Sequence, residues 1–166
     1  MSSPAPVTAS ANRITALAVG AALIVLGAVG FTVTLAVPTT DPVGVLFLGV
    51  VSLNSLQNLV HIGLGALLVA AAVAGRTAAR LTTRVLGTVF LALGIAGLFL
   101  SSTEYNVFAV NAAANLVHFL ASATLLAVGL GTDRTPRKWL PPDSRRSRAA
   151  GSRSPPSAPD SSISHW

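Results

Sequence analysis

The stretch NSLQNLVH at residues 54–61 returns as NAAANLVH at residues 111–118. In the first copy Asn54, Asn58 and His61 stand four and three residues apart, and Gly65 follows four later. Asn111, Asn115, His118 and Ser122 repeat that spacing. Steps of three and four stack side chains on one helical face, so each copy carries a polar stripe along one helix. Behind the stripes, residues 62–75 and 119–131 are mostly apolar, about 21 Å and 20 Å of helix. Neither length covers a hydrocarbon core of about 30 Å, which draws the polar turn into the membrane as well.

Further positions correspond around these octets. Ala66, Leu68 and Ala70 match Ala123, Leu125 and Ala127 at the same offset. The preceding apolar segments correspond at an offset of 67: Arg13, Gly20, Leu26, Gly27 and Gly30 with Arg80, Gly87, Leu93, Gly94 and Gly97. Two matched segments in the same order indicate a two-span unit present twice. Tandem copies of an even-span unit keep their orientation, so the halves are expected to be parallel repeats about an axis along the membrane normal. The shared glycines point to close helix approach, since small residues let backbones meet where lipid gives no hydrophobic drive for association.

The expected fold is an all-α, integral membrane four-helix bundle built from two parallel-repeat helical hairpins. Its spans fall at about residues 14–37, 54–75, 81–100 and 111–131. Pro38 is expected to end the first, and Asn54 to cap the second in an Asn-x-x-Gln box with Gln57. Residues 43–75 run for 33 residues without a charge, too long for one crossing, so residues 43–53 are expected along the membrane interface or against the bundle. Only 10% of the 166 residues are charged, 52% are hydrophobic and mean hydropathy is +0.69, a composition foreign to a soluble domain. Residues 13–131 form the span domain, preceded by a short segment, 1–12, and followed by a Pro-, Ser- and Arg-rich tail, 132–166, without apolar periodicity. That tail is expected to be disordered.

Charge sets the expected orientation. Arg13 precedes the first span, Arg76, Arg80 and Arg84 lie about the second connection, and the other seven bases follow the fourth span. The first and third connections hold only Asp41 and Glu104. Basic residues in short loops stay cytoplasmic, so both termini are expected on the cytoplasmic side of the cell membrane. The net charge of +6 then belongs mainly to a tethered tail. Its expected partners are the bilayer and anionic inner-leaflet lipids, with no nucleic acid.

An amide or imidazole facing lipid forfeits hydrogen bonds worth several kcal/mol. Asn54, Asn58, His61, Asn111, Asn115 and His118 are therefore expected to face the bundle interior, with the histidines at equal depth about 10 Å from the helix ends. The stripe contains no carboxylate or thiol, so no catalytic residues and no metal site are expected. The leading functional expectation is a non-enzymatic structural or interaction protein, acting through a homo-oligomer or a membrane protein partner and using the polar stripe as a clamp. The alternative is a haem- or small-ligand-binding subunit using His61 and His118 as cofactor ligands. A weaker alternative is a transporter component. No cofactor is expected under the leading reading.

The octets, each opening a Gly/Ala/Leu-rich span and joined by arginine-rich inner loops, resemble a family of small actinobacterial four-span membrane proteins known as a domain of unknown function. The resemblance covers roughly residues 13–131 and rests on the paired Asn58-Leu59-Val60-His61 and Asn115-Leu116-Val117-His118. It implies an integral membrane protein and carries no activity with it. Members often place a histidine before the first Asn and an acid before the second; Gln57 and Ala114 stand there in this chain.

Overall fold

The computed structural model describes residues 10–131; residues 1–9 and 132–166, with the tail expected to be disordered, lie outside the described residues. The order of elements is α1 (Ala11–Thr34), β1 (Val45–Phe47), β2 (Val51–Leu53), α2 (Ser55–Ala74), α3 (Arg76–Leu100) and α4 (Ala112–Gly131). All four helices are long and apolar enough to cross a membrane, and they pack as a bundle. Between 28% and 39% of the apolar window of each is buried within the chain. The remainder, including Val25, Leu59 and Leu98, each about 60% exposed, turns outward and needs lipid as its solvent.

α1 packs chiefly on α2 and α3 chiefly on α4, giving two helical hairpins. Glycines set the separation. A Cβ at Gly20 would lie 2.8 Å from the Gly65 carbonyl, and one at Gly65 would lie 2.6 Å from the Gly20 carbonyl, so α1 and α2 meet backbone to backbone. In the second hairpin a Cβ would meet the side chains of Leu126 at Gly87 and Phe119 at Gly94, each at 2.8 Å. The core common to both comprises Ala16, Leu23, Leu68, Ala72, Ala79, Leu86, Phe90 and Leu125.

Three boundaries depart from the sequence expectation. α1 runs 11–34, shifted from 14–37: Ser10 Oγ accepts from the Arg13 N–H at 3.4 Å to start it. A turn from the Thr34 carbonyl to the Val37 N–H ends it early, because Pro38 disfavours helical backbone at the residue before it. α3 begins at Arg76, five residues before the expected position. The apolar run starts at Leu81, but Arg and Ala are good helix formers, and Gly75 alone makes the turn from α2. Its φ of +133° is open to glycine and strained for other residues.

Residues 45–53 form an antiparallel β-hairpin, with Val45 opposite Leu53 and Phe47 opposite Val51. Leu48 (φ +52°) and Gly49 (φ +73°) make its tip, the positive dihedrals that match a tight turn to the twist of its strands. The described chain is thus four helices plus one small sheet.

Candidate functional site: a polar column inside the bundle

Polar side chains run through the bundle in tiers, beginning at the end that carries the hairpin. Asn54, wholly buried, accepts from the Gln57 N–H at 2.9 Å and so caps α2. Its Nδ2 donates to the carbonyls of Asp41 (3.0 Å) and Val107 (2.8 Å), tying both connections at this end to the helix. The reciprocal half of the expected capping box is absent: with its amide oriented to suit its surroundings, Gln57 donates to Phe108 O at 3.0 Å and Ser52 O at 3.2 Å. Asn111 also departs from expectation. It is only half-buried; it accepts from the Ala114 N–H (2.9 Å) and donates to Val50 O (2.8 Å), because the β-hairpin brings a carbonyl beside it.

Asn106 shares this tier and was invisible in the sequence, belonging to neither octet. Its Nδ2 faces the carbonyls of Pro42 (3.0 Å), Val110 (3.0 Å) and Ser101 (3.3 Å), and its Oδ1 accepts from the Val110 N–H (2.9 Å).

The next tier is deeper. Asn58 Nδ2 donates to Thr34 Oγ1 at 3.0 Å, and Ser55 Oγ donates to the Thr34 carbonyl at 3.2 Å, stitching α2 to the end of α1. Asn58 Oδ1 has no hydrogen-bond partner among the described residues, nor has Asn115 Oδ1. Both press on a glycine: a Cβ at Gly30 would lie 2.2 Å from Asn58 Oδ1, and a Cβ at Gly97 would lie 2.2 Å from Asn115 Oδ1. Each oxygen therefore sits over a glycine Cα–H, the weak contact that recurs where helices approach closely. The two pairs obey the offsets of 67 and 57 found in the sequence.

Below them lie the histidines. His61 and His118 are each 3% exposed, with ring centroids 6.1 Å apart at 63°, and Phe90 tilts against His118 at 5.9 Å. The helices thus bring the two imidazoles together in the interior. Both ring nitrogens of His61 and Nδ1 of His118 are buried without a partner among the described residues. A neutral imidazole offers one donor and one acceptor, so the pair can bind or position a small polar group between the hairpins. No cluster of three or more His, Cys, Asp or Glu suited to a metal ion occurs among the described residues.

At the opposite end the bonds pass from arginines to helix C-termini. Arg13 Nε donates to Ala72 O at 2.7 Å, while Arg80 Nε (3.4 Å) and Arg84 Nε (2.7 Å) both donate to Gly129 O. Arg13 and Arg80 are related by 67 residues, Ala72 and Gly129 by 57. Cations suit these ends, where the last carbonyls lack helical partners. Buried Thr83 donates to Asn12 Oδ1 at 2.8 Å, joining α3 to α1 across the hairpins. Like Thr34, these residues gave no signal in the sequence, because their partners lie 71 and 24 positions away.

No curated protein and no solved structure matches the chain. A family model described as a domain of unknown function, DUF4383, matches residues 13–131, the stretch that carries all four helices, nearly to their full extent. A multi-pass membrane protein by its helices, the chain belongs to the DUF4383 family.

Proposed function

We propose that this protein is a non-enzymatic structural or interaction component of the cell membrane, with both termini cytoplasmic, whose polar column clamps two duplicated hairpins into one rigid body. The observation that carries this reading is how the asparagine amides are spent. Asn54, Asn106 and Asn111 reach from one half to carbonyls of the other, and Asn58 and Asn115 seat on matching glycines within each hairpin. The arginine contacts that recur at the same two offsets support the duplication. The gathering of Arg13, Arg80 and Arg84 at one end of the bundle, with Asp41 and Glu104 in the connections at the other, supports the orientation. The tail is assigned to anionic inner-leaflet lipid on its charge alone.

A second reading, haem or a small ligand held by His61 and His118, is favoured by unpartnered ring nitrogens in side chains only 3% exposed. Absorption spectra and metal analysis of protein purified after expression with ample haem separate the two. The clamp predicts no Soret band and a colourless preparation. It also predicts that His61→Ala with His118→Ala lowers stability by about 2–4 kcal/mol, the range for emptied core sites, while the spectrum stays unchanged. A Soret band that disappears in either single variant overturns the clamp in favour of haem.

A further inference from the structure

The two hairpins differ at their arginine ends. One arginine suffices in the first: Arg13 on the carbonyl of Ala72. In the second, Arg80 and Arg84 converge on the carbonyl of Gly129, and the position matching Arg84 in the first hairpin is Leu17. By comparison with the α2 end, where one arginine bonds the carbonyl, α4 carries one arginine more. Both are half-buried, one turn apart on α3, and the described carboxylates, Asp41 and Glu104, belong to connections at the other end of the bundle. Two like charges held on one acceptor repel each other unless an anion joins them. Each guanidinium uses its Nε–H on Gly129, and among the described residues the two amino groups, the part that grips phosphate oxygens in pairs, have no bond assigned.

Gly129 makes the approach feasible. A Cβ there would lie 2.9 Å from Arg84 Cγ and 3.2 Å from the Arg84 nitrogen. The fork therefore depends on a glycine in α4 as well as on two arginines in α3, and it sits where a membrane-spanning bundle ends, at headgroup level.

We propose that Arg80 and Arg84, converging on the Gly129 carbonyl, form a binding site for the phosphate of an anionic phospholipid headgroup, separate from the basic tail. This stands whichever reading of the histidines holds.

The test is native mass spectrometry of the full chain extracted from vesicles of phosphatidylcholine with phosphatidylglycerol, counting retained phosphatidylglycerol. Charge-assisted guanidinium–phosphate hydrogen bonds are the strong ones, so R80Q/R84Q is expected to retain about tenfold less. R13Q, and a full-length variant with its seven tail bases neutralised, are expected to stay within about twofold of the parent. Two further variants guard against a folding defect, with helicity checked by circular dichroism. R80K/R84K keeps the charge but loses the planar fork, and G129A keeps both arginines but displaces Arg84; both are expected to lose retention. Equal retention in the lysine variant, or loss only in the tail variant, overturns the site in favour of diffuse attraction. Displacement of the lipid by millimolar inorganic phosphate overturns the headgroup assignment.

Discussion

Gly30→Ala combined with Gly97→Ala is expected to destabilise the bundle by about 3 kcal/mol in reversible detergent unfolding. Each added methyl would lie 2.2 Å from an asparagine oxygen that is sealed in the interior. Three effects compete at Gly30, and the first two of them at Gly97. Alanine gains about 1 kcal/mol over glycine in a helix interior. Overpacking a filled interior costs about 1–3 kcal/mol. Pushing Asn58 aside also forfeits its bond to Thr34, about 1 kcal/mol. The clash wins, by about 2 kcal/mol at Gly30 and about 1 kcal/mol at Gly97, and the sites are independent enough to add. The sign reverses when the obstacle is removed: in an Asn58→Ala background, Gly30→Ala should stabilise by about 0.5–1 kcal/mol. Gly63, where an added methyl would find nothing within 4 Å, is the control and should tolerate alanine with no loss. A destabilising Gly30→Ala that ignores Asn58 would place the asparagine elsewhere.

Asn106→Leu should cost about 3 kcal/mol and loosen one end of the molecule selectively. The substitution keeps the forked shape at Cγ but removes the acceptor for the Val110 N–H and the donor shared by Pro42, Ser101 and Val110. Buried partners left unpaired are charged at about 1–3 kcal/mol each, partly exposed ones less. Asn106 is 4% exposed, so water does not easily replace it. Amide exchange across Val45–Phe47 and Val51–Leu53 should quicken well before that of α3, because these strands are held to the bundle through the same polar tier. Uniform quickening everywhere would mean that Asn106 supports the whole fold and not this end.

The helices that open with the octets were legible almost to the residue. Asn54 and Asn111 supply capping side chains, and the stripe spacing shows which face is polar. The β-hairpin was not legible, for a physical reason. Residues 43–53 are apolar almost throughout, so they carry no alternation, and each strand is only three residues long. Gly44 and Gly49 were the available signals, both adopting positive φ. The start of α3 was obscured because arginines end an apolar run without ending a helix. Within the column, the stripe named Asn58, His61, Asn115 and His118 but not what they touch. Thr34, Asn12, Thr83 and Asn106 pair across distances in sequence that no periodicity reports. Asn111 shows the converse limit, since a perfect match to Asn54 in spacing acquired a different environment from a hairpin present only in the first half.

The absence of cysteine from the chain gives a clean background for the decisive measurement. Cysteines are placed at His61 and His118, and separately at Leu59 and Leu116, in protein kept in its membrane and treated with a short bis-methanethiosulfonate. The His61→Cys/His118→Cys pair should cross-link within one chain, because the imidazole rings lie 6.1 Å apart, while Leu59→Cys/Leu116→Cys, on faces 59% exposed, should not. Cross-linking of the leucine pair with none at the histidine pair would contradict the claim that the two hairpins turn their polar faces toward each other.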